Sequence, residues 1–176
     1  LPVLWYELYH KTGILSCVLY IQFCRTHLNK YFMSDLKFSV MGQAESQTRI
    51  TVKARQFSFV IDEPPTLGGD DLGANPVEYL LASYAGCVNV MAYLIANELG
   101  IKLEKLTIKV DGNINPNRLF GKSFEDRAGF KLITLNLHPV TNTSPELLSK
   151  WISEIKKRCP INDNLLNPTP VDFQLA

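Results

Sequence analysis

The sequence lacks a Cys-x-x-Cys pair and any concentration of one charge. Its 176 residues carry 18 Lys and Arg against 17 Asp and Glu, for a net charge of +1. The basic residues are scattered, so the electrostatic footprint of a nucleic-acid or anionic-membrane binder is missing. The three histidines, His10, His27 and His138, stand far apart and near no cysteine cluster, which argues against a structural zinc site. Four cysteines, Cys17, Cys24, Cys87 and Cys159, are too few for a small secreted disulfide scaffold. The glycine-rich stretch from Thr66 to Ala74 lacks the lysine and the spacing of a phosphate-binding or dinucleotide-binding loop. It reads as a plain mobile connection. What remains is ordinary: 46% hydrophobic and 20% charged residues, enough for one domain with a sizeable core.

The first 32 residues stand apart from the rest. The first methionine is Met33, followed by Ser34 and Asp35, a natural start. Upstream, the apolar run from Gly13 to Cys24 is too short to span a bilayer, which takes about 20 residues, and no cleavage pattern follows it. Residues 1–32 are therefore read as an extension outside the domain, upstream or appended sequence, with residues 33–176 as a single domain.

From Leu36 the pattern is that of strands. Leu36, Phe38 and Val40 alternate with polar residues, Thr48 to Lys53 alternates again, and Phe57 to Ile61 is a third run ending at Pro64-Pro65. Asn75-Pro76-Val77-Glu78 carries a helix start: a capping asparagine, a proline in the first turn and a glutamate placed to return a hydrogen bond. That helix should run to about Leu99 and stop at Gly100. Lys102 to Val110 and Gly129 to Val140 read as longer strands. Ser144-Pro145-Glu146 opens a second helix that ends near Arg158, before Pro160. A last strand is expected at Val171 to Leu175.

Cys87 lies on the first helix. At about 100° per residue, Leu80, Tyr84, Met91 and Leu94 fall within about 60° of it, so it should point into an apolar face. A free cysteine there is by default a small core residue, and burial suppresses its thiolate. A working Cys87 needs a cation or donor beside it. Cys159 offers a second thiol where a helix gives way to a proline turn. A thiolate that attacks peroxide oxygen becomes a sulfenic acid, and a second thiol condenses with it to a disulfide and water. That requires Cα atoms within about 4.4–6.8 Å.

Two motifs then carry a resemblance. Gly73-Ala74-Asn75-Pro76-Val77-Glu78-Tyr79-Leu80-Leu81-Ala82-Ser83-Tyr84-Ala85-Gly86-Cys87 resembles the first-cysteine helix of OsmC/Ohr proteins. Arg158-Cys159-Pro160-Ile161 with Asn167-Pro168-Thr169-Pro170 resembles their second-cysteine segment. The likeness spans about Leu36 to Ala176 and is nearest to the OsmC-like branch. It implies an α+β fold, with antiparallel sheets wrapped around central helices in an intertwined homodimer and two sites at the subunit interface. It implies a cytoplasmic thiol peroxidase of the osmotic and peroxide stress response, acting on organic hydroperoxides. Cys87 would attack and Cys159 resolve, and a dithiol such as a lipoylated protein would reduce the enzyme. No metal, haem, nucleotide, nucleic acid or membrane is called for. Leu80, Tyr84 and Met91 would form the apolar substrate lining. The family holds its thiolate with an arginine from the N-terminal strands; Arg55 is the best match and Arg49 the fallback.

One position departs from the family pattern. Peroxide-reducing members place a glutamate directly after the Asn-Pro pair, where this chain has Val77. Glu78 lies about 180° from Cys87 on an ideal helix and is better explained as a capping residue. The departure favours a second reading, a stress-response module that binds an apolar ligand at the dimer interface with little or no peroxide turnover. A third reading is a structural dimer with inert thiols.

Overall fold

The structure is a computed structural model that describes residues 35–175. Residues 1–32, with Cys17 and Cys24, lie outside the described residues, and so does the expected start at Met33. Gly42–Ala176 forms one compact unit.

Alternating apolar residues build the sheets. β1 (Met41–Ala44), β2 (Ile50–Ala54) and β3 (Phe57–Ile61) form a three-stranded sheet in that order. β2 and β3 are antiparallel, with Val52 opposite Phe59. The expected strand at Leu36 to Val40 is not formed, since pairing begins only at Met41. Alternation marks a face but cannot supply the neighbouring edge that a strand must bond.

The glycine-rich connection after β3 is not the plain mobile loop expected from its composition. It opens with a 3-10 turn at Pro65–Leu67 and folds around Asp62, a fully buried carboxylate. Asp62 accepts backbone hydrogen bonds from Glu63, Asp70 and Leu72 at 2.9–3.3 Å. A Cβ at Gly73 would collide with the Val60 carbonyl, so only glycine lets the chain pass this close to β3.

α1 (Pro76–Glu98) begins as its sequence dictates. Asn75 Oδ1 accepts from the Glu78 N–H at 2.9 Å, and Glu78 Oε2 accepts from the Asn75 N–H at 2.9 Å, a complete capping box. At the other end Gly100 takes φ 69°, and the N–H groups of Gly100 and Ile101 return to the Asn97 and Ala96 carbonyls. This left-handed glycine closure satisfies carbonyls the helix leaves open.

β4 (Lys105–Asn113) and β5 (Leu132–Val140) form a separate antiparallel pair, with Ile108 opposite Leu137. Leu106, Ile108, Leu135 and Leu137 turn inward against the core that α1 supplies. α2 (Pro145–Arg158) is capped by Ser144, and α3 (Pro160–Leu166) follows directly. The sequence pattern did not anticipate α3. The expected strand at Val171 to Leu175 is absent, and Val171, Phe173 and Leu175 stand exposed.

The core gathers Val88, Ala92, Ile95 and Ala96 of α1 with Ile101, Trp151, Ile155 and Cys159. Trp151 is wholly buried, and its indole N–H donates to the Ala92 carbonyl at 2.8 Å, so its polar end is satisfied inside the apolar layer. α1 is also long and apolar enough to cross a membrane. In this fold its buried face is the floor on which α2 and β4 pack.

Candidate functional site

Cys87 lies on α1, and Cys159 caps α3 at the junction with α2. The packing of α2 on α1 brings these residues together across a separation of 72 positions, with Sγ atoms 2.9 Å apart. Both are free thiols. A disulfide needs about 2.05 Å, so bonding requires a small approach rather than a rearrangement.

The junction is built by proline and asparagine. α2 ends because Pro160 has no N–H to give the Lys156 carbonyl four residues back. The Asn162 side chain fills that role, its Nδ2 donating to the Lys156 carbonyl at 2.8 Å. The Asn162 backbone N–H lies 3.5 Å from Cys159 Sγ, and its Oδ1 accepts from the Tyr84 hydroxyl at 2.6 Å. Next to Cys159, the Arg158 guanidinium grips both carboxylate oxygens of Glu98, tying the end of α2 to the end of α1. The fork-to-carboxylate geometry fixes direction as well as distance.

The wheel places Cys87 less centrally than expected. The buried face of α1 is Val88, Ala92, Ile95 and Ala96, centred roughly 125° around the helix from Cys87. Cys87 is at its margin, half-buried, whereas Cys159 is 1% exposed. Leu80 and Leu94, expected to share the buried face, are exposed.

Burial pushes the Cys87 thiol up, and its contact with Cys159 adds to that, while the Ile161 backbone N–H pulls it down; the net direction is up. Burial and the two neighbouring sulfurs likewise raise Tyr84. No arginine or lysine is among the groups acting on Cys87. Arg55 sits at the exposed turn between β2 and β3 with its guanidinium over the Phe57 ring, 5.2 Å from the centroid. Arg49 is engaged by Glu45 and Asp70. Within one chain, neither reaches the thiols.

Two open cavities of about 500 Å³ flank the site. One lies between β5 and α2, lined by Val88, His138, Ile155, Lys156 and Cys159. The other is lined by Val77, Leu80, Arg127, Phe130 and Leu166. Tyr84, Ile133 and Asn162 belong to both. Of the three residues expected to line a substrate pocket, Leu80 and Tyr84 border these cavities, while Met91 packs against the core. Sequence reasoning missed Asn162. Its one signal was its place three residues after Cys159, where a helix cap meets its donor. Among the described residues no group of three or more His, Cys, Asp or Glu could hold a metal ion.

Comparison with known proteins agrees with this architecture. The sequence model described as OsmC-like protein matches residues 68–174. An OsmC-like protein from Mycoplasma pneumoniae superposes with a TM-score of 0.67 at 24% identity, covering 77% of this chain and 91% of that one. An organic hydroperoxide resistance protein from Elizabethkingia anophelis gives 0.58 at 20% identity, covering 78% and 93%. One from Legionella pneumophila gives 0.54 at 18%, covering 76% and 91%. No curated protein matches the sequence. The matched segment takes in both cysteine motifs, and the α+β fold of helices and antiparallel strands is that of these structures; the chain belongs to the OsmC-like protein family.

Proposed function

We propose that this protein is a thiol-dependent reductase of organic hydroperoxides, with Cys87 as the attacking thiol and Cys159 as the resolving one. The observation that carries the proposal is the 2.9 Å separation of their sulfurs. The Cys87 thiolate attacks the peroxide oxygen, the O–O bond breaks, and the alcohol leaves with one proton. Cys159 then displaces water from the Cys87 sulfenic acid, leaving a disulfide. A dithiol, such as a lipoylated protein, reduces that bond and becomes a cyclic disulfide itself. Cys87 is the better candidate for attack because it is the less buried of the two residues. Leu80 and Tyr84 offer apolar and amphipathic surface to the organic part of the substrate.

The thiolate needs a positive partner, and none acts on Cys87 among the described residues. In this proposal Arg55 of a second copy supplies it, in a homodimer with the site at the interface. Arg55 adopts φ 56° at an exposed turn, a conformation glycine or asparagine would take with less strain. Retaining arginine there suits a role beyond the turn. Leu80, Val90, Tyr93 and Leu94 leave an apolar side of α1 exposed, the kind of surface that marks an interface.

A second reading, an apolar-ligand module with little turnover, draws on Val77 in the glutamate position and on the raised Cys87 thiol. A peroxide assay with cumene hydroperoxide and a dihydrolipoyl donor separates the two. Turnover lost in Cys87→Ser supports the reductase. Absence of turnover in the unmodified protein, with saturable ligand binding, supports the module.

A further inference from the structure

The Tyr84–Asn162 hydrogen bond runs alongside the sulfur pair and joins the same two segments. Tyr84 precedes Cys87 by three residues on α1, one turn away on a neighbouring part of the helix surface. Asn162 follows Cys159 by three residues in α3. The bond is 2.6 Å long, and Asn162 is buried. The remaining valences of Asn162 are also committed, Nδ2 to the Lys156 carbonyl and the backbone N–H to Cys159 Sγ. One asparagine therefore touches the end of α2, the second cysteine and the helix of the first.

We infer that Tyr84 and Asn162 are a positioning pair, a latch that holds the Cys159 turn against α1 and keeps the two thiols in reach of each other. This rests on the reading of Cys87 and Cys159 as a redox couple. Asn162 Nδ2 serves the Lys156 carbonyl that Pro160 leaves without its helical donor, and beside the Ile161 N–H at Cys87 the Tyr84 bond ties this turn to α1. Without the latch, the sulfurs would still sit on packed helices, but the turn that aims Cys159 would sample wider positions. The effective concentration of one thiol at the other would fall. Tyr84 and Asn162 also line both flanking cavities.

The test is the thiol–disulfide equilibrium of the full chain in glutathione buffers, which needs no peroxide. Oxidised glutathione accepts two electrons and two protons from Cys87 and Cys159, giving two reduced glutathiones and one protein disulfide. The latch predicts that Tyr84→Phe lowers the equilibrium constant for disulfide formation about tenfold, the value of one buried hydrogen bond. Asn162→Ala should lower it further. The double variant should be no worse than Asn162→Ala alone, because both changes remove the same bond. Chemical denaturation of each reduced variant confirms that folded protein is compared. An unchanged constant in folded Tyr84→Phe, or strictly additive effects in the double variant, overturns the latch. A wild-type chain that forms no disulfide at any glutathione ratio overturns the redox couple itself.

Discussion

Cys87 and Cys159 hold their Sγ atoms 2.9 Å apart, with Cys159 sealed in the core and Cys87 at its margin. That asymmetry is why the proposed chemistry has Cys87 attack and Cys159 resolve.

The two cysteines should fail differently when replaced. Cys87→Ser should abolish consumption of cumene hydroperoxide. Cys159→Ser should still consume one equivalent and accumulate a sulfenic acid, which dimedone traps and mass spectrometry locates at Cys87. Trapping at Cys159 in the Cys87→Ser variant would reverse the assignment.

The ionisation of Cys87 tests where the cation comes from. In a single chain, burial and the Cys159 contact hold this thiol above its ordinary range. If Arg55 of a second copy faces it, Arg55→Gln should move the midpoint of the iodoacetamide pH–rate profile up by about one pH unit or more. Identical profiles would remove Arg55 from the site.

Asp62 predicts a stability change in acid. Burial raises its pKa, but hydrogen bonds from Leu72, Glu63, Thr48 and Asp70 outweigh that and hold the carboxyl below the usual range. Its folded pKa is thus below its unfolded value of about 3.9. The stabilisation is complete above that pH and is lost as the pH falls through the folded pKa. Asp62→Asn should be less stable than wild type at pH 7, and the gap should narrow below about pH 4. Urea midpoints measured across that range check it.

Trp151 holds the helix that carries Cys159. It is 0% exposed and bonded to the Ala92 carbonyl. Trp151→Ala should cost about 3–5 kcal/mol in urea unfolding. Gly73→Ala should cost about 1–3 kcal/mol by forcing a Cβ against the Val60 carbonyl.

The parts legible in the sequence are those written in local chemistry. Asn75, Pro76 and Glu78 announce α1, Gly100 closes it, and Ser144 and Pro145 open α2, because caps act within a few residues. The alternation behind β2 and the apolar run of β3 were equally plain. α3 was hidden because seven residues show little period, and Pro160 reads as a terminator before it reads as a first-turn residue. The Asp62 loop was hidden because its order comes from one carboxylate reaching backbone up to ten residues away. Leu36 to Val40 and Val171 to Leu175 have strand patterns without strand partners among the described residues. Cys87 and Cys159 were singled out by motif, but their meeting depends on tertiary packing of α2 on α1, and Asn162 gains its importance only from that meeting.

The most direct test is peptide mapping after one equivalent of cumene hydroperoxide is added to the reduced protein. The proposed chemistry predicts loss of two thiols per chain and recovery of a single cross-linked species joining the Cys87 and Cys159 peptides within one chain. Recovery of both cysteines as free thiols with the peroxide unconsumed would contradict it.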